Sequence, residues 1–343
     1  MKALQLTLDS QNQEIDFTPW FKKKFSNPNA TINLATLFSG VGAIEYALKR
    51  LNLKTNLVFA GDIDKFCKES YFENYKISEK NWHNDVTSFS AKKYKYKVDL
   101  LVGGSPCQSF SMVGKRLGLE DTRGTLFYDF ARIIDECKPR VFIFENVKGL
   151  INHDKGNTWR VIQDVFEDLG YDIHHQVLNS RDYGIPQNRE RIFIVGFKDD
   201  DIKFSFPKPT NKKTSVGFIL ENKVDEKYTI SDKLWAGHKR RKEKNKIMGR
   251  GFGYGLFDEN STYTNTISAR YYKDGSEILI SQKNKNPRKI TPREAARLQG
   301  FPDTFKIPVS DNQAYKQFGN SVAVNVIEAI AKQIKKSIQF VKT

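Results

Sequence analysis

Long apolar runs, cysteine and acidic charge are all in short supply in this chain. No stretch is apolar over the roughly 20 residues that a membrane span needs, so a spanning segment is not expected. There are three cysteines, Cys67, Cys107 and Cys137, in 343 residues. That is too few for a disulfide framework and points to a reducing compartment, so a cytoplasmic protein is expected. The five histidines, His83, His153, His174, His175 and His238, lack structural-zinc spacing with the cysteines, and no metal is expected. Only 11 prolines beside 39% hydrophobic residues argue against a collagen-like, mucin-like or mainly disordered chain. The opening MKALQLTLDSQNQEID turns polar and acidic at once, unlike a signal peptide. Acidic residues number 40 against 56 basic ones, a net charge of +16. Such an excess suggests a polyanionic partner or an anionic surface, although a lysine-biased genome produces it too.

The length fits two domains better than three. Residues 1–30 read as a polar arm anchored by Trp20, Phe21 and Phe25. From Ile32 the texture changes. INLATLFSG reads as a buried strand ending in a turn, and VGAIEYALKRL as the helix after it. LVFAGD, VDLLVGG, VFIFENV, YDIHHQVLNS and RIFIVGF supply further strands. IDKFCKESYFENY, LFYDFARIIDECK and TWRVIQDVFEDLG supply helices, the second stopped by Pro139. Alternation of this kind predicts an α/β domain with a mainly parallel sheet, in which ligands sit at the carboxyl ends of the strands. Gly40, Asp62, Pro106, Cys107 and Glu145 all fall at or just beyond such ends.

After PKPT the helical periodicity fades. Residues 210–300 carry 20 basic and 10 acidic side chains, more than half of the excess charge. GRGFGYG is too glycine-rich for a regular element, and STYTNTISARYY is strand-like. A smaller, irregular domain facing a polyanion is expected here; a solvated lysine-rich insertion is the plainer alternative. ITPREAARLQGFP holds a short helix from Pro292, a good first-turn proline. SVAVNVIEAIAKQIKKSI reads as an amphipathic helix that packs back on the first domain. The expected division is an arm over 1–30, a catalytic part over 31–207 completed by 313–343, and a small part over 208–312.

Gly40 and Gly42 in LFSGVGAIE lie between a strand and a helix, where a backbone can approach a ligand. Asp62 ends the next strand, where a carboxylate takes a ribose hydroxyl pair. A nicotinamide dinucleotide fits this pattern as well, and so does a plain strand-to-helix turn. Cys107 in GGSPCQSF sits in a glycine- and serine-rich loop, a setting that can lower a thiol pKa. Read alone, an inert buried cysteine is the better fit. Glu145 and Arg191 each enter apolar strands, so each calls for a partner or a task. Arg189 and Arg191, two apart, would share a strand face.

Taken together these residues resemble the DNA cytosine-C5 methyltransferases of the bacterial restriction–modification type. FSGVGAIE is similar to that family's cofactor loop, GSPCQSFS to its nucleophile loop and ENVKGL to its glutamate motif. QNRERIF is similar to its arginine motif, and TPREAARLQGFPD and QAYKQFGNSVAVNV to its two late motifs. Order and spacing agree from about residue 31 onward.

The resemblance implies a Rossmann-like domain dependent on S-adenosylmethionine, with a target-recognition domain. It implies Cys107 as the thiolate that attacks C6 of cytosine, Glu145 at N3 and the exocyclic amine, and Arg191 supporting both, with Arg189 in the same motif. Phe38, Gly40, Gly42, Asp62, Ile63, Asp85, Asn320 and Ser321 would hold the cofactor. Asp62 stands where many members have glutamate, and Ile63 where they have a tryptophan that stacks on adenine, so weaker cofactor binding is expected. The loop 109–124, beginning at Ser109, would close over double-stranded DNA with the target base flipped out. Arg250, Tyr254, Thr266, Ser268 and Arg270 would approach the bases, and the lysines of 239–246 the phosphates. A monomer is expected, with a restriction endonuclease encoded nearby and no stable complex with it. Three other readings compete: a tRNA cytosine methyltransferase with the same motifs, a catalytically dead DNA-binding homologue, and a nicotinamide oxidoreductase. The last leaves the Cys107 loop and the basic region unexplained.

Overall fold

The computed structural model describes residues 18–23, 31–106, 126–199, 202–210, 212–251 and 253–339. The first half runs β1 (Ile32–Leu37), α1 (Ala43–Arg50), β2 (Thr55–Gly61), α2 (Lys65–Asn74), β3 (Trp82–His83), β4 (Leu100–Gly103) and α3 (Leu126–Cys137). It continues through β5 (Val141–Val147), α4 (Asn157–Asp168), β6 (Asp172–Asn179) and β7 (Glu190–Phe197). These strands form one sheet in the order β3-β2-β1-β4-β5-β7-β6. Only β7 runs against the rest. A Rossmann-like, mainly parallel α/β sheet is therefore present, as the alternation of segments predicts.

The central strands are apolar on both faces because helices cover both sides. In β5, Val141 through Phe144 are all buried. Phe127 and Phe130 of α3 and Phe166 of α4 pack on Phe142 and Phe144, with the Phe142 and Phe166 ring centroids 4.5 Å apart. Each ring buried this way is worth about 1.5–3 kcal/mol. The chain order reverses between β1 and β4, with β2 and β3 added on one side and β5 on the other. That reversal opens a crevice at the carboxyl edge of the sheet, where the two flanking loops part.

The second half holds α5 (Asp232–Ile247), β8 (Leu256–Phe257), β9 (Leu279–Gln282), β10 (Lys285–Lys289), α6 (Pro292–Arg297), α7 (Asp311–Asn320) and α8 (Val324–Gln339). Strands β8 to β10 make a small separate sheet. Helix α8 returns to α1, where Arg50 bonds both Asn325 and Glu328. One continuous apolar core links Leu34 of β1, Ile267 and Ile290 of the second half, and Ile330 of α8.

Two local expectations fail here. The region after residue 210 is expected to be irregular, yet α5 is a 16-residue helix. Ser231 caps it by accepting from the Leu234 amide, and its lysines, arginines and glutamate favour helix. Only His238 of α5 is buried, so there is no apolar stripe for periodicity to reveal. Conversely, 261–272 is not a strand; its one ladder contact is a bridge from Thr264 to Gln187. Its polar groups are taken by another loop instead. The Thr264 amide donates to the Pro186 carbonyl and the Thr264 carbonyl accepts from the Asn188 amide, while the Ile267 amide donates to the Gln187 side chain at 3.0 Å.

Candidate active site

The cofactor-type loop leaves β1 at Leu37 and enters α1 at Ala43. Phe38, Gly40 and Gly42 all take positive φ, so the turn is sharp. The Gly40 amide donates to Asp62 at 2.9 Å, joining the ends of β1 and β2. Among the described residues nothing lies within 4 Å of where a Gly40 side chain would begin. Gly42 is required for a different reason. Any side chain there would run into the Tyr75 ring, whose hydroxyl donates to the Gly42 carbonyl at 2.6 Å.

Asp62 accepts from the Gly40 and Asp64 amides, one on each oxygen, which fixes the carboxylate and leaves further lone pairs for a ligand. Burial pushes its pKa up, against the pull of those amides. Ile63 beside it is 81% exposed, an apolar side chain presented to solvent. Asp85 is half-buried, with Oδ1 taken by the Thr87 amide and hydroxyl. Asn320 closes α7 on the surface, and Ser321 follows it nearly buried. Lys316 of α7 pairs with Asp64 at 2.7 Å, and Gln317 bonds both Ser70 and the Phe66 carbonyl. The late helix is thereby tied to the start of α2. An open glycine turn, a fixed carboxylate and an exposed apolar face fit an adenosine-bearing ligand.

The second loop leaves β4 at Gly103. Glu145 stands near the end of the neighbouring β5, so close that a side chain on Gly104 would strike its carbonyl and its carboxylate. Cys107 and Ser109 lie outside the described residues, as do the loop 109–124 and most of the arm. The approach to Cys107 is described as far as Pro106. Asn146 Nδ2 donates to the Ser105 carbonyl at 2.9 Å, holding the backbone two residues before the cysteine. Sequence reasoning assigned Asn146 nothing; its signal was a buried amide inside an apolar strand. Cys67 and Cys137 are buried thiols whose pKa values burial pushes far up, so neither is a candidate nucleophile.

Arg191 Nε lies 3.1 Å from Glu145 Oε1. Burial raises the Glu145 pKa, opposed by the Arg191 and Arg189 charges. Arg189 does not share this work. It precedes β7, is 3% exposed, and donates to the carbonyls of Ile267, Gly319 and Ser321. Burial, with Arg191 adding to it, brings its pKa down to about 9. Gln187 acts in the same sense, donating to the Leu298 carbonyl and accepting from Ile267. Of Gln187, Arg189 and Arg191, the first two fasten the second half to the sheet and the third meets the carboxylate. Gly319 belongs to the same joint: its backbone rests directly on Ser268 and Ala269.

The DNA-type candidates divide likewise. Thr266 donates to the Asn188 carbonyl, and Ser268 to Glu277, so both hydroxyls are engaged within the protein. Tyr254 packs between Trp235 and the Lys242 ammonium. Arg250 and Arg270 are exposed.

Residues 32–336 match the family described as C-5 cytosine-specific DNA methylase. The chain belongs to this family. It is 55% identical over 309 residues to the type II methyltransferase M1.ScrFI of Lactococcus lactis subsp. cremoris, covering 89% of this chain and 78% of that protein. It is 54% identical over 305 residues to the type II methyltransferase M.NlaX of Neisseria lactamica, covering 89% and 96%. The crystal structure of the S. pombe Dnmt2 methyltransferase superposes with a TM-score of 0.73 over 90% of this chain and all of that one. At 18% identity that likeness speaks for the fold. The chain is thus a DNA (cytosine-5-)-methyltransferase, of a family that depends on S-adenosylmethionine. Among the described residues no helix is long and apolar enough to cross a membrane.

Proposed function

We propose that this C5 methylase modifies one cytosine within a fixed short sequence of duplex DNA, through a covalent bond from Cys107 to C6 of a flipped-out base. The carrying observation is the Glu145–Arg191 pair at the mouth of the crevice, beside a nucleophile loop that Asn146 holds by the Ser105 carbonyl. A carboxyl group whose pKa is raised by burial can keep a proton for ring N3, while Arg191 fixes its orientation. With N3 so engaged, the Cys107 thiolate adds to C6, an S–C6 bond forms, and the displaced electron pair makes C5 nucleophilic. When bound, S-adenosylmethionine supplies a methyl group that is electrophilic because it sits on a sulfonium. After methylation the C5 proton passes to solvent, the S–C6 bond breaks to release the Cys107 thiolate, and ring N3 returns its proton to Glu145, which restores the aromatic ring. Asp62, Ile63, Asp85, Phe38 and Asn320 would hold the cofactor, and Ser321 would support them.

In this reading 31–207 with 313–343 is the catalytic part, and 208–312 carries target recognition. Arg250 and Arg270 read base edges, and the α5 lysines track phosphates. The molecule acts as a cytoplasmic monomer and is the modification half of a restriction–modification pair.

The test is transfer of a tritiated methyl group to a mixed-sequence duplex, mapped at base resolution, with Cys107→Ala alongside. Label on C5 of one cytosine in one short sequence, absent from the variant, is the expected result. A folded, cofactor-binding protein that labels tRNA and no duplex would overturn it.

A further inference from the structure

We propose that Arg241 and Asp274 form a brace fixing the spacing between two reading loops, which makes Arg241 a positioning residue for sequence discrimination. The inference rests on reading 208–312 as the recognition part.

Arg241 projects from α5 with its fork filled. Nη1 donates to Asp274 Oδ2 at 2.9 Å; Nη2 donates to the Gly253 carbonyl at 3.1 Å and to His238 Nδ1 at 2.9 Å. His238 completes the ring of contacts through Nε2 and the Asp274 carbonyl at 3.2 Å. Burial and the Arg241 charge lower the His238 pKa, which suits it to accept at Nδ1. The first loop is thus drawn against α5. Gly253, at φ +79°, has no room for a side chain beside the Lys242 backbone, 2.7 Å away, and the Arg250 amide bonds the Asn245 carbonyl at 2.8 Å. Tyr254 is gripped between Trp235 and Lys242.

The turn that carries Asp274 also holds the second loop. Asn265 donates to the Glu277 carbonyl at 3.1 Å, and Ser268 donates to the Glu277 carboxylate. The Arg270 amide donates to Ser268 Oγ at 3.1 Å, and the Gly255 amide to the Ser276 carbonyl at 2.9 Å. Arg250 and Arg270 are therefore exposed residues of two loops that are each tied to one turn, 274–277, the first through Arg241 and Gly255 and the second through Asn265 and Ser268. A bidentate arginine discriminates bases only where its backbone is held to a fraction of an ångström. Arg241 reaches its three acceptors from two nitrogens of a rigid planar fork, whereas a lysine offers its donors from a single nitrogen.

Exposure separates positioning from stability. The Arg241 and Asp274 side chains are 41% and 32% exposed, so their ion pair adds little to folding. Its loss falls on the relation between the loops.

The experiment compares wild type, Arg241→Ala, Arg241→Lys and Asp274→Asn. Each is assayed for methylation of the cognate duplex, of duplexes with one base pair changed, and for S-adenosylmethionine binding. For Arg241→Ala the expected result is about a tenfold loss of discrimination in kcat/KM, carried mainly by KM, with cofactor affinity unchanged. Arg241→Lys, which keeps the pair with Asp274, should fall between. Asp274→Asn gives the same reading should Arg241→Ala fail to fold. Unchanged discrimination in a folded variant overturns the brace alone, and so does loss of cofactor affinity in parallel with activity. A wild type that methylates no duplex overturns the DNA reading, and the brace with it.

Discussion

Arg191 reaches Glu145 across a diagonal of the sheet. Val147 stands opposite Arg191 in the register of β5 and β7, so Glu145 lies two positions back on the same face. Since β7 alone runs backwards, its first residues lie at the carboxyl edge where the parallel strands end. A strand reversal is thus what brings an arginine from the start of one strand to a carboxylate near the end of another.

From this pair follows the first prediction. Arg191→Ala leaves Glu145 without its orienting cation, and Glu145→Gln removes the proton that can be passed to the base. Each should lower kcat by about 10²–10⁴-fold with cofactor affinity nearly unchanged. Single-turnover methyl transfer beside calorimetric cofactor binding checks it; equal losses in both would move these residues from chemistry to folding.

Arg189 predicts the opposite pattern. Arg189→Ala leaves the carbonyls of Ile267, Gly319 and Ser321 without their donor in a buried site. A stability loss of about 3–5 kcal/mol is expected, read from urea unfolding. Arg189→Lys should recover only part of it, because one ammonium cannot serve three divergent acceptors. Wild-type stability in Arg189→Ala would remove its role as a fastener.

The two arginines mark the limit of what sequence could tell. Spacing alone puts them on one strand face and leaves the task of Arg189 open; the chain begins β7 at Glu190 and spends Arg189 on backbone carbonyls. Apolar alternation located the large sheet well, because strands covered on both faces must be apolar throughout. It missed α5, which is held by a cap and by helix-forming residues rather than by an apolar face. It misread 261–272, whose β-like residues find their partners in a loop and in Gln187. The site was legible where one residue contradicts its surroundings, as Glu145 does in VFIFENV. Asn146 next to it was overlooked, since its partner, the Ser105 carbonyl, is a backbone group that no side-chain pattern announces.

Ile63 gives a prediction of gain. It is 81% exposed beside the fixed carboxylate of Asp62, so a larger ring there meets no packing constraint. Ile63→Trp should tighten S-adenosylmethionine binding by about 3–10-fold through a larger stacked face. Stability should change by less than about 0.5 kcal/mol. Unaltered affinity in a calorimetric titration would show that the adenine lies elsewhere.

The last prediction concerns Glu45, a buried carboxyl beneath the glycine turn. Its Oε1 accepts from Thr36 at 2.9 Å and from the Tyr71 hydroxyl at 2.6 Å, while nothing among the described residues bonds Oε2. Thr36 in turn meets Ser39, which accepts from the Gly61 amide, so the carboxyl ends a chain of bonds joining β1, β2, α1 and α2. Burial raises the Glu45 pKa, outweighing the hydrogen bonds from Tyr71 and Thr36. The folded state therefore holds this proton more tightly than the unfolded chain does. That preference stabilises the fold fully below the ordinary carboxylate pKa, and is lost as pH rises from about 4.5 through the raised value. Glu45→Gln does not titrate. The stability of wild type relative to Glu45→Gln should accordingly fall with rising pH and then level off, as measured by urea unfolding at intervals from roughly pH 5 to 8. A difference that stays flat, or that grows with pH, would mean that the carboxyl is ionised in the fold and that the network carries a charge rather than a proton.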